Sequence, residues 1–366
     1  MRLSTTLSIY VGRHFISSFL ALLGLFLMLI LLFDSIELLR RAASKPDISF
    51  LMVIELALLK LPHMSQEVLP FAVLFGGMVC FWRLTRSFEL VVTRGAGVSA
   101  WQFLLPPLLL ALIIGVFQIT VINPVASTTL ARYERVETLL FKGQGNSLAI
   151  SGSGLWLRQA NLDGQSVVYA RHVLQQGREV ELRNVTVFMY SGKDTFRGRV
   201  DGKLARLEDG FWRITDAWVY APEKTPLFEK EYWFATDLTL DKIQDNFAPP
   251  ETMSFWDLPG FIATLEKAGF SAVRHRLHWH TLLAAPLLLF AMVLIAATFT
   301  LRHSRRGATT TVISAGVFTG FALYFFSDVV FALGLSDSIP VTLAAWTPSG
   351  VATLLGLALL LHLEDG

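Results

Sequence analysis

The sequence predicts a membrane α-helical protein with six transmembrane helices, carrying one strand-rich polar domain between its third and fourth spans. Three observations predict it. Hydrophobic residues make up 53% of the 366 residues and charged residues only 16%, with a mean hydropathy of +0.52, which is too apolar for an ordinary soluble domain. The apolar residues gather in uncharged runs near the roughly 20 residues needed to cross a hydrocarbon core about 30 Å thick. Between two groups of such runs, the segment 124–276 instead alternates apolar and polar residues at the period of a β-strand.

In chain order, the first span is read at 15–33. It begins close to Met1 and lacks a small-residue cleavage site after a short apolar region, so it reads as a retained anchor. The second has only a short uncharged part, 68–82, with Lys60 and Glu67 placed near one end, where they can reach headgroups. The third runs over 98–123, and residues 127–141 read as a helical extension of it. A β-domain of eight to ten strands is expected over 147–241. Its apolar-polar runs, such as Gly154-Leu155-Trp156-Leu157-Arg158, are separated by the hairpin-type dipeptides Asp163-Gly164, Asp201-Gly202 and Asp209-Gly210. Residues 254–280 contain an amphipathic helix leading into the fourth span, 277–301; the fifth and sixth come at 307–327 and 338–361. The chain thus divides into 1–123, 124–276 and 277–366.

Short-loop Lys and Arg set orientation. Arg2, Arg13, Arg83, Arg86, Arg94, Arg302, Arg305 and Arg306 lie on one side, against Arg40, Arg41, Lys45 and Lys60 on the other. The first set is assigned to the cytoplasm, which places both termini inside and the β-domain outside. The single cysteine, Cys80, lies within the second span, so no intrachain disulfide supports the β-domain.

Reactive constellations are missing from the sequence. There is no P-loop, no Gly-x-Ser-x-Gly elbow, no His-Glu-x-x-His and no cysteine pair. His275, His278 and His280 beside Arg274 and Arg276 read as a juxtamembrane basic patch rather than a metal site. No enzyme activity, metal, cofactor or nucleic-acid partner is expected.

Two groups of residues do point to binding. In the loop after the second span, Leu84, Phe88 and Val91 or Val92 recur at helical spacing, and Gly95 or Gly97 closes the turn. A short helix over about 84–97 is expected, either lying on lipid or docking a soluble partner through Glu89. On the outer side, Arg40 and Arg41, Arg132 and Arg135, and Arg274 and Arg276 put positive charge where topology disfavours it. Ion pairs with Asp34, Glu37 or Asp328 would explain them. So would an anionic ligand whose phosphates guanidinium groups grip bidentately.

The loop Ser87-Phe88-Glu89-Leu90-Val91-Val92, continuing to Arg94-Gly95-Ala96-Gly97-Val98-Ser99, resembles the lipopolysaccharide-export permeases of the LptF/LptG family. Tyr10-Val11-Gly12-Arg13, Leu69-Pro70, Asn123-Pro124, Gly154-Leu155-Trp156, Asp328, Leu333-Gly334-Leu335 and Ile339-Pro340 agree with it along the whole chain and lean toward the LptG-type subunit. The chain departs from the pattern where its first span ends in Asp34, with Arg40 and Arg41 beyond it. The resemblance implies a non-catalytic half-transporter in the inner membrane of a Gram-negative bacterium. It also implies a related second permease, a cytosolic ATP-binding-cassette ATPase dimer that hydrolyses the ATP, and a periplasmic all-β jellyroll domain joining a jellyroll bridge toward the outer membrane. On this basis Leu84, Arg86, Phe88, Glu89, Leu90 and Arg94 become candidates for ATPase coupling, the six outer arginines for lipid headgroup contacts, and Asp34 and Asp328 for gate-region acids. A membrane-tethered periplasmic binding or assembly module without transport is the rival reading.

Overall fold

The computed structural model describes residues 5–43, 49–95, 97–138, 140, 147–151, 154–161, 164–176, 179–191, 195–208, 210–222, 224–236, 248–267, 270–301 and 309–364. Arg2, Lys45, Ala96, Asp163, Asp209, Arg302, Arg305 and Arg306 lie outside the described residues, as does the expected domain end at Asp241. Two compact units are present. One is helical (Met1–Glu134, Ser254–Trp256 and Arg276–Gly366) and the other strand-rich (Arg135–Met253 and Asp257–His275).

The helical unit opens with α1 (Thr5–Ala42), α2 (Phe50–Arg86) and the short α3 (Glu89–Gly95). The third span consists of α4 (Ala100–Phe117), a π-helical turn (Gln118–Ile122) and α5 (Asn123–Glu137). The wider turn has a local cause: Pro124 lacks an N–H and its ring would press on the carbonyl four residues back, so the ladder shifts to an Asn123 N–H to Gln118 carbonyl bond. After the β-domain come α6 (Leu258–Lys267, in the strand-rich unit), α7 (Val273–Thr300), α8 (Thr309–Leu335) and α9 (Val341–Glu364). Among the described residues, six helical segments are long and apolar enough to cross a membrane.

The helical ends extend beyond the uncharged runs. In α1 the last turns hold Glu37, Arg40 and Arg41, whose i,i+3 and i,i+4 pairing satisfies charges that hydropathy alone would exclude. One core cluster joins Phe15, Leu74, Phe81, Phe103, Leu104 and Leu294. Without a hydrophobic drive between helices inside lipid, close backbone approach supplies the packing. Gly76 shows it: a Cβ there would stand 2.8 Å from the Phe19 Cα.

The strand-rich unit is one antiparallel sheet whose seven described strands bond in sequence order. They are β1 (Ser147–Ser151), β2 (Gly154–Asn161), β3 (Gly164–Gln176), β4 (Glu179–Ser191), β5 (Thr195–Glu208), β6 (Phe211–Tyr220) and β7 (Leu227–Ala235). Among the described residues, seven strands stand where eight to ten are expected, and one reason is that Asp201-Gly202 is not a hairpin. It lies inside β5, paired with Val185 and Thr186 of β4, and a Cβ on Gly202 would collide with Ile214 of β6. Asn184 and Asp216 take φ of +53° and +54°, and the ladders skip a pairing at each. The register is unchanged across each gap, and Asn and Asp tolerate the left-handed region best; the β4–β5 register shifts instead between Met189 and Tyr190, an irregularity that bends a strand and sharpens its twist.

The sheet rolls until non-neighbouring strands meet. Gln159 of β2, 0% exposed, donates to the Ala235 carbonyl at the end of β7 (3.3 Å) and accepts from the Thr236 hydroxyl (2.6 Å). Leu157, Val168, Leu182, Val187, Val200 and Ile214 fill the inner face. Of the large aromatic residues in the described strands, only Trp212 is fully inside. Trp156, Trp218, Phe228 and Trp233 lie on the outer face, where Trp156 packs on Tyr169 and Trp218 on Phe228.

Candidate functional site

The loop after α2 is a helix break and then a helix. Ser87 caps α2, its backbone N–H donating to the Arg83 carbonyl at 3.0 Å, and Phe88 turns the chain at φ +58°, which is uncommon for a bulky residue. Helix α3 then begins at Glu89 and closes where Gly97, at φ +83°, donates to the Arg94 carbonyl and Val98 to the Thr93 carbonyl. The helix expected over 84–97 is therefore shorter. Leu84 ends α2 rather than sharing a face with Phe88.

This geometry divides the residues singled out above. Leu84 and Leu90 are buried in the core cluster with Phe81 and Phe103, so they seat α3 and are not available to a partner. Phe88 and Val92 stand exposed, as do Arg86 and Arg94. The Arg86 guanidinium lies over the Trp82 ring at 5.1 Å. The Glu89 carboxylate accepts from the Ser87 hydroxyl at 2.8 Å and from the Tyr10 hydroxyl of α1. One acid therefore joins the short helix to the first span, a link that sequence spacing did not signal.

Of the six arginines expected on the outer side, Arg40, Arg41 and Arg132 sit in ion pairs of differing kinds. Arg40 and Arg41 share Glu37 at 2.9 Å, with the Arg40 side chain 77% exposed. Arg132 pairs with Glu55 of α2 at 3.1 Å, an acid not among the expected counter-charges. Arg135, Arg274 and Arg276 are exposed. Asp34 does not serve these arginines; its Oδ1 takes Lys60 Nζ at 2.6 Å, with both side chains mostly buried between α1 and α2. Asp328 lies apart from Asp34, lining a cavity of about 290 Å³ with Glu67 and Gln118. Of the histidines, His275 lies within bonding distance of the Ala248 carbonyl (3.1 Å) and packs on Phe261. Among the described residues no three His, Cys, Asp or Glu converge as a metal set.

A second cavity, about 440 Å³, opens inside the rolled sheet between Ser166, Met189, Gly198, Val219, Tyr232 and Phe234. Neutral side chains of β3 to β7 line it together with Arg197.

The family model described as "Lipopolysaccharide export system permease LptF/LptG" matches residues 9–362. The chain is 25% identical to the lipopolysaccharide export system permease protein LptG of Escherichia coli K12 over 313 residues, covering 83% of this chain and 84% of that protein. It is 21% identical to the protein of the same name from Haemophilus influenzae over 356 residues, 94% of this chain and 95% of the relative.

Proposed function

Since this chain belongs to the lipopolysaccharide export system permease family LptF/LptG, we propose that it is the LptG-type half of an ATP-driven machine that extracts lipopolysaccharide from the inner membrane. It is a permease of lipopolysaccharide export, and no observation favours a tethered module without transport. In the finer reading it pairs with a related permease, and a cytosolic ATPase dimer docks on α3. Both termini then lie in the cytoplasm, and the β-domain passes lipid to a periplasmic jellyroll bridge.

The observation that carries the docking role is the division within α3. Leu90 anchors the helix in the core while Phe88, Val92 and Arg94 project outward beside Glu89. A partner pushing on this surface cannot move it independently, because Leu84 and Leu90 belong to the same packed cluster as Phe15 of α1 and Phe81 of α2. Closure of an ATPase dimer would thus bias the arrangement of the first two spans, in the way that packed elements with two arrangements transmit work.

The headgroup role of Arg40, Arg41, Arg132, Arg135, Arg274 and Arg276 rests on the exposure of all six and on how readily the pairs of Arg40, Arg41 and Arg132 exchange. An exposed ion pair such as Arg40–Glu37 is weakened by water and salt, while bidentate guanidinium–phosphate bonds are charge-assisted and roughly twice as strong as neutral ones. A phosphorylated lipid can therefore take these arginines from their carboxylates. Asp34 and Asp328 are assigned to the gate region on the same reading.

Replacing Glu89 with Lys tests the docking role. It removes the acceptor for Ser87 and Tyr10 and reverses the charge presented to the partner, costing on the order of 2 kcal/mol or more at a buried contact. Co-purification of the ATPase, or lipopolysaccharide-dependent ATP turnover, should fall sharply. Full partner binding with full transport-linked turnover would remove Glu89 from the coupling path.

A further inference from the structure

The cavity lined by Asp328 differs in chemistry from every basic cluster on the chain. Its walls come from α2, the π-helical turn, α7, α8 and α9, all within the helical unit. Phe71, Leu288, Met292 and Phe331 make it apolar, and small residues such as Ala284, Ala285 and Gly320 leave it open. At about 290 Å³ it stands at the low end of small-ligand sites, roughly 300–1,000 Å³. It therefore suits one headgroup and the start of a chain rather than a whole multi-chain lipid.

Acceptors are prominent among its polar groups, beside the amide and hydroxyl groups of Gln66, Tyr324 and Ser327. Glu67 and Asp328 bring carboxylates. Thr281 gives its hydroxyl proton to the Leu277 carbonyl (2.9 Å) and Ser349 to the Trp346 carbonyl (3.0 Å), so each offers the cavity lone pairs only. The side chain of Gln118 is decisive: the residue is 6% exposed, and its Oε1 is buried with no hydrogen-bond partner among the described residues. An amide oxygen held away from water without a donor is costly, and a ligand donor would relieve it. The π-helical turn places it there, in the kind of local widening that recurs at functional sites. No Lys, Arg or His is among the lining residues, and Glu67 has His63 at 3.5 Å.

We propose that this cavity is a binding site for an amphiphilic primary amine, its ammonium held among Gln118, Glu67 and Asp328 and its hydrocarbon on the apolar wall. A primary ammonium supplies three donors and the missing positive charge. The π faces of Phe71 and Tyr324, whose rings pack 6.0 Å apart, favour a cation beside them. An anionic cargo is rejected here by the same carboxylates. The proposal stands independently of the export reading, because its test reads binding alone.

The test uses the full chain, purified in a neutral detergent, with native mass spectrometry counting the ligand retained. Dodecylamine should be retained at least about tenfold more than dodecanol or dodecyl sulfate at equal concentration. Asp328→Asn and Gln118→Leu should each reduce that retention about fivefold or more, Gln118→Glu should keep it, and Ala285→Trp should abolish it by filling the cavity. In a second arm, nanodiscs containing phosphatidylethanolamine or phosphatidylglycerol separate the sources. Displacement of dodecylamine by the former alone identifies a lipid headgroup amine, and displacement by neither identifies a free amine. Equal retention of dodecanol, or wild-type retention by both Asp328→Asn and Ala285→Trp, would overturn the proposal even if Gln118→Leu failed to fold.

Discussion

Removing one partner of the Asp34–Lys60 pair should harm the protein more than removing both. The two groups are 2.6 Å apart, with side chains 17% and 24% exposed, and they join α1 to α2 where each helix is long and apolar. At an effective dielectric near 20, opposite charges about 3 Å apart attract by roughly 5–6 kcal/mol, offset by several kcal/mol of desolvation for each ion. The net value of the pair is therefore small. Leaving one charge alone is not, at about 3–5 kcal/mol. Asp34 is especially exposed to this effect, since its Oδ2 is buried without a partner among the described residues and Lys60 is its ion-pair partner. Asp34→Leu and Lys60→Met should each destabilise by about 3 kcal/mol or more, while the double substitution should lie within about 1 kcal/mol of the parent. The resulting coupling energy of a few kcal/mol is measurable by a double-mutant cycle on thermal unfolding of the purified protein in detergent. A double variant whose loss equals the sum of the two single losses would refute this account of how α1 is held.

Three further outcomes are expected. Gln159→Leu deletes the two hydrogen bonds that Gln159 makes with the Ala235 carbonyl and the Thr236 hydroxyl, at about 1 kcal/mol each, so the β-domain should become susceptible to limited proteolysis between β2 and β7. Gly76→Val forces a side chain onto the Phe19 backbone and should cost about 1–3 kcal/mol, with a lowered unfolding temperature and unchanged helical circular dichroism at low temperature. Glu181 is held below the usual carboxylate range first by the Arg183 hydrogen bond and then by Arg206. A lowered folded value means stability present above the unfolded value near 4.5 and lost as pH falls through the folded one. Glu181→Gln should therefore differ from the parent near pH 7, by a small and salt-sensitive margin because its arginine partners are exposed, and the difference should vanish as pH falls through the folded value.

Features that local composition dictates could be read directly from the residues in order. A hydrocarbon core requires about 20 apolar residues wherever a helix crosses it, so the six spans were legible as runs, and the β-domain was legible because a strand exposes its period of two over a few residues. The signature around Glu89 and Asn123-Pro124 identified the family for the same reason: each motif is contiguous. Packing in three dimensions settled everything that depends on which distant residues meet. Charges at the end of α1 stay helical because Glu37 serves Arg40 and Arg41 together. Asp201-Gly202 reads as a hairpin but runs straight through β5, because Gly202 makes room for Ile214 on the neighbouring strand. Leu84 and Phe88 share a spacing but not a face, since the chain turns at Phe88 and buries Leu84 and Leu90 instead. The closure of the sheet rests on Gln159 and Thr236, 77 positions apart, and the acceptor-lined cavity on groups from α2, the π-helical turn, α7, α8 and α9. Periodicity and motif spacing report only neighbours along the chain; a buried polar group is specified by partners that packing alone brings within hydrogen-bond reach.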